Sequence, residues 1–178
     1  MSSQTYRSHR TDLKSSRTWG AAAAGGLVAG VAMGLLMHFI MGAMPLIGGL
    51  YGQPTVVAGW TAHLFHSVVF ALIFAAVIGS TSLREYGLLG MIGLGAVYGV
   101  ILEIVAAGFV LPIWANAVGV GGGLPVPFIA LPGFVTHVLY GVVLGAIFGL
   151  AMTRDWSKPT DVEDAERATV EDAERAAE

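Results

Sequence analysis

The sequence contains no cysteine among its 178 residues. Disulfide bonds, thiolate nucleophiles, iron–sulfur clusters and cysteine-ligated zinc are therefore excluded. Charged residues are also scarce, at 12% of the chain, which is about half of the share found in soluble proteins. Hydrophobic residues make up 55% of the chain, and glycine occurs 25 times. This composition argues against a soluble enzyme and against a disordered chain.

The few charges leave four long apolar stretches between them. Each stretch is long enough to cross about 30 Å of hydrocarbon at about 1.5 Å per helical residue. The predicted spans are Gly20–Met41, Trp60–Gly79, Leu88–Leu111 and Phe134–Met152. We therefore predict an all-α membrane protein with a four-helix transmembrane bundle over residues 20–152. A basic segment at 1–19 precedes the bundle, and an acidic tail at 153–178 follows it.

The positions of lysine and arginine predict the orientation of the chain. They lie before the first span, at Arg84 between the second and third spans, and after the fourth. The connections at 42–59 and 112–133 carry no charge of either sign. Because basic residues stay on the cytoplasmic side, we predict a multi-pass protein of the cytoplasmic membrane with both termini cytoplasmic. The lipid bilayer is the expected partner, and the lack of a basic patch speaks against nucleic acid.

The second and fourth spans share a pattern of residues. Aligning each residue with the one 74 positions later gives six identities in seventeen positions. The identical pairs are Gly59/Gly133, His63/His137, Val68/Val142, Val69/Val143, Ile73/Ile147 and Phe74/Phe148. The first and third spans match more weakly, with a shift near 65. This pattern predicts two duplicated helical hairpins, related by a pseudo-twofold axis along the membrane normal.

Small residues recur every four positions along each span, and each of these stripes carries an ionisable residue. In the third span, Gly95 and Gly99 are followed by Glu103. Helices in lipid associate through small residues, so a side chain in register with a stripe is expected to point into the bundle. The residues in register with a stripe, or beside one, are His38, His63, His66, Glu103 and His137. We predict that all five lie at one level, about 5–10 Å outward of the bilayer centre.

Three interpretations of this cluster remain open. His38, His63, His66, Glu103 and His137 suit a transition-metal ion, such as zinc, copper or iron. Alternatively, His63 and His137 are the axial ligands of haem b or belong to a quinone-type redox site. In the third interpretation, the polar groups only hydrogen-bond one another between helices. Glu103 matters most, because a carboxylate in lipid is costly unless it is neutralised, and such residues are functional candidates.

The acidic tail repeats the motif VEDAERA at 162–168 and at 170–176. It has no large apolar residue to bury, so we expect it to be disordered. Acidic tails of this kind suit a cytoplasm rich in salt, which is compatible with a halophilic source.

One stretch of the fourth span carries a family resemblance. Thr136 and His137 are followed by Tyr140, Gly141 and Gly145. With four short spans and an acidic tail, this stretch resembles small membrane proteins of haloarchaea. More distantly, it is similar to YagU-like inner-membrane proteins. The resemblance covers about residues 20–152 and implies no role for any residue.

The leading hypothesis is a non-catalytic membrane protein whose outward His/Glu cluster binds a metal ion or a redox cofactor. No residue is predicted to be catalytic. A second hypothesis is a structural or assembly subunit of a larger membrane complex, or a homo-oligomer, that packs through its small-residue stripes. A third is a small transporter or proton-conducting protein with Glu103 as the protonatable group.

Overall fold

The computed structural model describes residue 13 and residues 15–153, without the side chain of Thr153. The acidic tail and most of the basic segment lie outside the described residues. The described elements are α1 (Ser16–Phe39), α2 (Met44–Gly49), α3 (Val56–Ser80), a 3-10 turn (Ser82–Glu85), α4 (Leu88–Leu102), a π-helical segment (Glu103–Val110), α5 (Leu111–Ala117) and α6 (Leu131–Thr153). The described chain contains no strand, so the all-α prediction is confirmed.

Four helical stretches are long and apolar enough to cross a membrane. They are Ser16–Phe39, Val56–Ser80, Leu88–Ala117 and Leu131–Met152. The chain is therefore a multi-pass membrane protein, and the predicted four-helix bundle is confirmed. The largest difference from the predicted spans is at the third, which continues through α5. Pro112 lies in the first turn of α5, directly after the π-helical segment, and does not end this helical stretch.

Side-chain caps fix where two of the long helices begin. The hydroxyl of Ser15 accepts a hydrogen bond from the backbone N–H of Arg17 at 3.3 Å. The hydroxyl of Thr55 does the same for the N–H of Ala58 at 3.2 Å. Such caps satisfy N–H groups that the first turn of a helix leaves unpaired. They set the starts of α1 and α3 several residues before the predicted spans.

The long helices form two hairpins, α1 with α3 and α4 with α6. In the second hairpin the backbones touch directly. A Cβ atom on Gly95 would overlap the carbonyl oxygen of Gly141, and one on Gly99 would overlap the carbonyl oxygen of His137. Close backbone approach through small residues is the main source of helix association in lipid. The glycine stripe of α4 therefore lies at a helix interface, as the sequence predicts.

The first hairpin meets at positions that correspond to those of the second. Gly30 of α1 faces the side chain of Ser67 on α3. Adding the shifts of 65 and 74 positions gives Gly95 and Gly141, which face each other in the second hairpin. The duplication itself stays a prediction, and this shared register is the structural fact that bears on it.

The contacts between the hairpins are not symmetric. α1 packs along α6, whereas α3 and α4 form no comparable interface. Side chains bridge them instead. The Tyr98 hydroxyl donates a hydrogen bond to the carbonyl oxygen of Phe70 at 2.8 Å, and the ring of Tyr98 lies 5.3 Å from that of Phe74. A twofold arrangement would give two equivalent interfaces between the hairpins. The one between α1 and α6 is closely packed, and the one between α3 and α4 is open.

Candidate binding cavity

A cavity of about 170 Å³ lies between the two hairpins. Every helix contributes to its walls, and α4 does so only through its last residue, Leu102. Its apolar lining includes Met33, Met37, Phe70, Leu102, Ala107 and Trp114. Its polar lining consists of His63, His66, Ser67, His137 and Tyr140. A mostly apolar concave site with a few polar groups is the usual form of a small-molecule site. Three of the five predicted site residues therefore share one cavity.

His63 is held in place by a bond between helices. It is buried on α3, and its Nε2 atom lies 2.9 Å from the carbonyl oxygen of Gly30 on α1. A carbonyl oxygen only accepts, so Nε2 carries the proton of this hydrogen bond. A neutral imidazole has a single N–H, which leaves the Nδ1 atom of His63 with a free lone pair.

His137 lies beside the buried carboxylate of Glu103. The Nδ1 atom of His137 lies 2.9 Å from the carbonyl oxygen of Gly133 and 2.8 Å from Oε2 of Glu103. Its N–H is directed at the carbonyl, so Oε2 contacts the imidazole ring but accepts no aligned hydrogen bond from any described residue. Glu103 is only 1% exposed. The hydrogen bond to Gly133 orients His137, and the carboxyl group of Glu103 packs against the same edge of the ring.

The absence of a side chain at Gly133 makes room for this carboxylate. A Cβ atom there would lie 2.8 Å from Oε1 and 3.0 Å from Oε2 of Glu103. Gly133 belongs to the first turn of α6, and the N-terminal end of a helix favours negative charge. The start of α6 thus offsets part of the cost of burying Glu103.

His66 belongs to an aromatic cluster at the end of the bundle that carries α2 and α5. Its Nε2 atom lies 2.5 Å from the hydroxyl oxygen of Tyr51. The ring of Trp114 lies 5.1 Å from that of Tyr51 and 6.3 Å from that of His66. This cluster, Tyr51, His66 and Trp114, joins α3 to α5 and to the segment before α3.

The structure does not bring His38 to the cavity. Its ring packs edge-on against Phe39 at 4.5 Å and lies 6.2 Å from the ring of Trp60. His38 therefore stays near the start of α3, at Trp60, and does not line the cavity. The prediction that all five residues converge is wrong for His38, and Glu103 lies behind His137 instead of on the cavity wall.

The two predicted kinds of cofactor fit these residues poorly. Within residues 15–153, no group of three or more His, Asp or Glu side chains is placed to hold a metal ion. The cavity is also too small for haem. Apolar cavities of about 150 Å³ hold one benzene ring, and this cavity measures about 170 Å³. A porphyrin is several rings wide. A single six-membered ring, in contrast, matches the available space.

Sequence reasoning missed the π-helical segment that begins at Glu103. π-Helical turns are rare and often lie at functional sites. This one forms the wall opposite α3, and the carbonyl oxygen of Gly108 within it accepts a hydrogen bond from the N–H of Phe128 at 2.8 Å. The connection between α5 and α6 is thereby attached to the cavity wall. No residue pattern in Glu103–Val110 distinguishes the segment from an ordinary α-helix.

Hydroxyl groups connect α6 to α3 beside the cavity. The Tyr140 hydroxyl donates to the carbonyl oxygen of Ser67 at 2.5 Å. The Ser67 hydroxyl in turn donates to the carbonyl oxygen of His63 at 2.8 Å. Buried tyrosines need such a partner, and here the bond fixes the distance between the two helices across the wall.

Tyr140→Phe is expected to destabilise the bundle by about 1 kcal/mol, because it removes one buried hydrogen bond and leaves the carbonyl of Ser67 without it. Tyr86→Phe is the matched control, since Tyr86 is 56% exposed and its change should stay within about 0.5 kcal/mol. Unfolding of the purified variants in a detergent titration measures both. Equal effects of the two substitutions would contradict the role given to Tyr140.

No protein-family model, curated protein or solved structure matches this chain. The resemblance to small haloarchaeal and YagU-like proteins therefore stays a prediction. The case for a function rests on the cavity and its lining residues.

Proposed function

We propose that this membrane protein binds a small, mostly apolar molecule with a single ring, of the quinone type, in the cavity between its hairpins. The observation that carries the proposal is a cavity of about 170 Å³ with apolar walls and three histidines. Its volume suits one six-membered ring. The free nitrogen atoms of His63 and His137 can accept hydrogen bonds from the hydroxyl groups that the quinol form of such a ring carries.

The position of the cavity favours a ligand that reaches it from lipid. Val110 lines the cavity and is 50% exposed. Within a bilayer this exposed surface faces hydrocarbon, so the side of the cavity near Val110 is accessible to lipid-soluble molecules. Quinones and quinols dissolve in the hydrocarbon region. With the orientation predicted from Arg84 and the termini, the cavity lies in the outer half of the cytoplasmic membrane, and both termini are cytoplasmic.

The other hypotheses have less support. A metal ion would need ligands beyond those that the described residues bring together. A subunit role and transport have no specific observation in their favour among these residues.

The test fills the cavity. Ala107 lines it, so Ala107→Phe is expected to place a ring where the ligand ring would bind. Purified protein in lipid nanodiscs is titrated with 2,5-dimethyl-1,4-benzoquinone and, separately, with its hydroquinone. The tryptophan fluorescence of the protein is recorded, to which Trp114 of the cavity lining contributes. We expect a saturable change with at least one of the two forms in the unmodified protein, and none with either form in Ala107→Phe.

Val97→Phe is the control, because it adds the same ring on the same membrane-crossing helical stretch at a position that is 58% exposed. This variant should bind like the unmodified protein. The proposal fails if neither form of the ligand saturates, or if Ala107→Phe binds as well as Val97→Phe.

A further inference from the structure

Four polar side chains of the cavity wall share one property, which is that each directs its proton at a backbone carbonyl. They are His63, Ser67, His137 and Tyr140. The Nε2 atom of His63 lies 2.9 Å from the carbonyl oxygen of Gly30. The Nδ1 atom of His137 lies 2.9 Å from the carbonyl oxygen of Gly133. Because a carbonyl cannot donate, both of these nitrogens are protonated. The second nitrogen of each neutral ring, Nδ1 of His63 and Nε2 of His137, is left as an acceptor.

The two hydroxyl groups of the wall behave in the same way. Ser67 donates its proton to the carbonyl oxygen of His63 at 2.8 Å, and Tyr140 donates its proton to the carbonyl oxygen of Ser67 at 2.5 Å. A hydroxyl has one proton and two lone pairs. Both oxygens therefore retain acceptor capacity and have no proton left for a ligand.

Donors in the wall belong to the aromatic cluster. The indole N–H of Trp114 is a donor, and a hydrogen bond joins Nε2 of His66 to the hydroxyl of Tyr51. These residues group together at the end of the bundle that carries α2 and α5. The part of the wall formed by His63, Ser67, His137 and Tyr140 therefore offers a ligand acceptors only.

We infer that the cavity selects rings whose polar group donates a hydrogen bond, namely phenols and hydroquinones, over rings that only accept, such as quinones and aryl ethers. The inference rests on the proposed function and adds the chemical class of its ligand. A donor pairs with a buried lone pair of the wall. A ring that only accepts leaves those lone pairs unmatched and desolvated, which costs binding free energy. Of a quinone and its quinol, the quinol should therefore bind more tightly.

The experiment uses three fluorinated rings and the full chain in nanodiscs. 4-Fluorophenol donates a hydrogen bond, 4-fluoroanisole only accepts, and 4-fluorotoluene matches the phenol in size without either property. Fluorine NMR measures binding of each ring, and nanodiscs without protein give the partition into lipid. We expect 4-fluorophenol to bind at least about tenfold more tightly than either other ring.

Two variants assign the preference to the wall. His137→Phe keeps a ring of similar size and removes the acceptor, so the preference for the phenol should fall severalfold. His38→Phe makes the same change at a histidine outside the cavity and should leave the preference unchanged. Should His137→Phe fail to fold, the three-ring comparison in the unmodified protein still decides the question. Equal binding of 4-fluoroanisole and 4-fluorophenol overturns the inference alone, whereas saturable binding by none of the rings overturns the proposed function as well.

Discussion

Gly95→Ala is expected to destabilise the bundle by on the order of 3 kcal/mol or to prevent folding, because the added methyl group overpacks a tight interface. The new Cβ atom would overlap the carbonyl oxygen of Gly141 and approach the Cα atom of Gly145 to 3.0 Å. Both are backbone atoms, so α4 and α6 must separate to accept the methyl group. Separation also weakens the neighbouring contact of Gly99 with the carbonyl of His137, which sets the position of the cavity wall.

Gly93→Ala provides a matched control two residues away on the same helix. A Cβ atom at Gly93 would meet no atom within 4 Å. Since alanine favours helix over glycine by up to about 1 kcal/mol, this variant should be as stable as the unmodified protein or more so. Reversible unfolding in mixed detergent micelles measures both variants. If Gly95→Ala and Gly93→Ala have the same stability, α4 and α6 do not meet at their glycines.

His137→Ala is expected to cost about 3 kcal/mol, because it leaves the buried carboxylate of Glu103 without its nearest polar neighbour. Glu103 is 1% exposed, and its Oε2 atom lies 2.8 Å from Nδ1 of His137. Replacing Glu103 with glutamine removes the charge and keeps the shape. The double variant His137→Ala, Glu103→Gln should therefore be more stable than His137→Ala alone.

A double-mutant cycle measures this coupling free energy, which we expect to exceed about 1 kcal/mol. Glu85→Gln in the His137→Ala background is the control. Glu85 is exposed in the 3-10 turn, so replacing it should not restore the stability that His137→Ala removes. Strictly additive effects of His137→Ala and Glu103→Gln would show that the two side chains do not interact.

The glycine stripes were predictable because their chemistry is local. A glycine at every fourth position marks a face where another backbone can approach, and Gly95 does meet Gly141. The lengths of the apolar runs likewise predicted the four membrane-crossing helices. Both features follow from side-chain size and hydropathy along one segment.

The arrangement of the site was less predictable, because it depends on how segments rotate against each other. His38 follows Gly34 in the four-residue register, yet its ring packs against Phe39 and Trp60 and does not reach the cavity. The π-helical turn at Glu103 changes the rotation of every residue after it. The open gap between α3 and the π-helical segment results from tertiary packing and leaves no pattern in the sequence.

The central claim is that a ring ligand occupies the cavity between the hairpins, and methionine methyl groups report on it directly. Met33 and Met37 line the cavity, whereas Met91 and Met152 are buried in other parts of the core. In protein labelled with carbon-13 at the methionine methyl groups, bound 4-fluorophenol should give nuclear Overhauser contacts to Met33 and Met37 and none to Met91 or Met152. Contacts to all four methionines alike, or to none, would contradict the account.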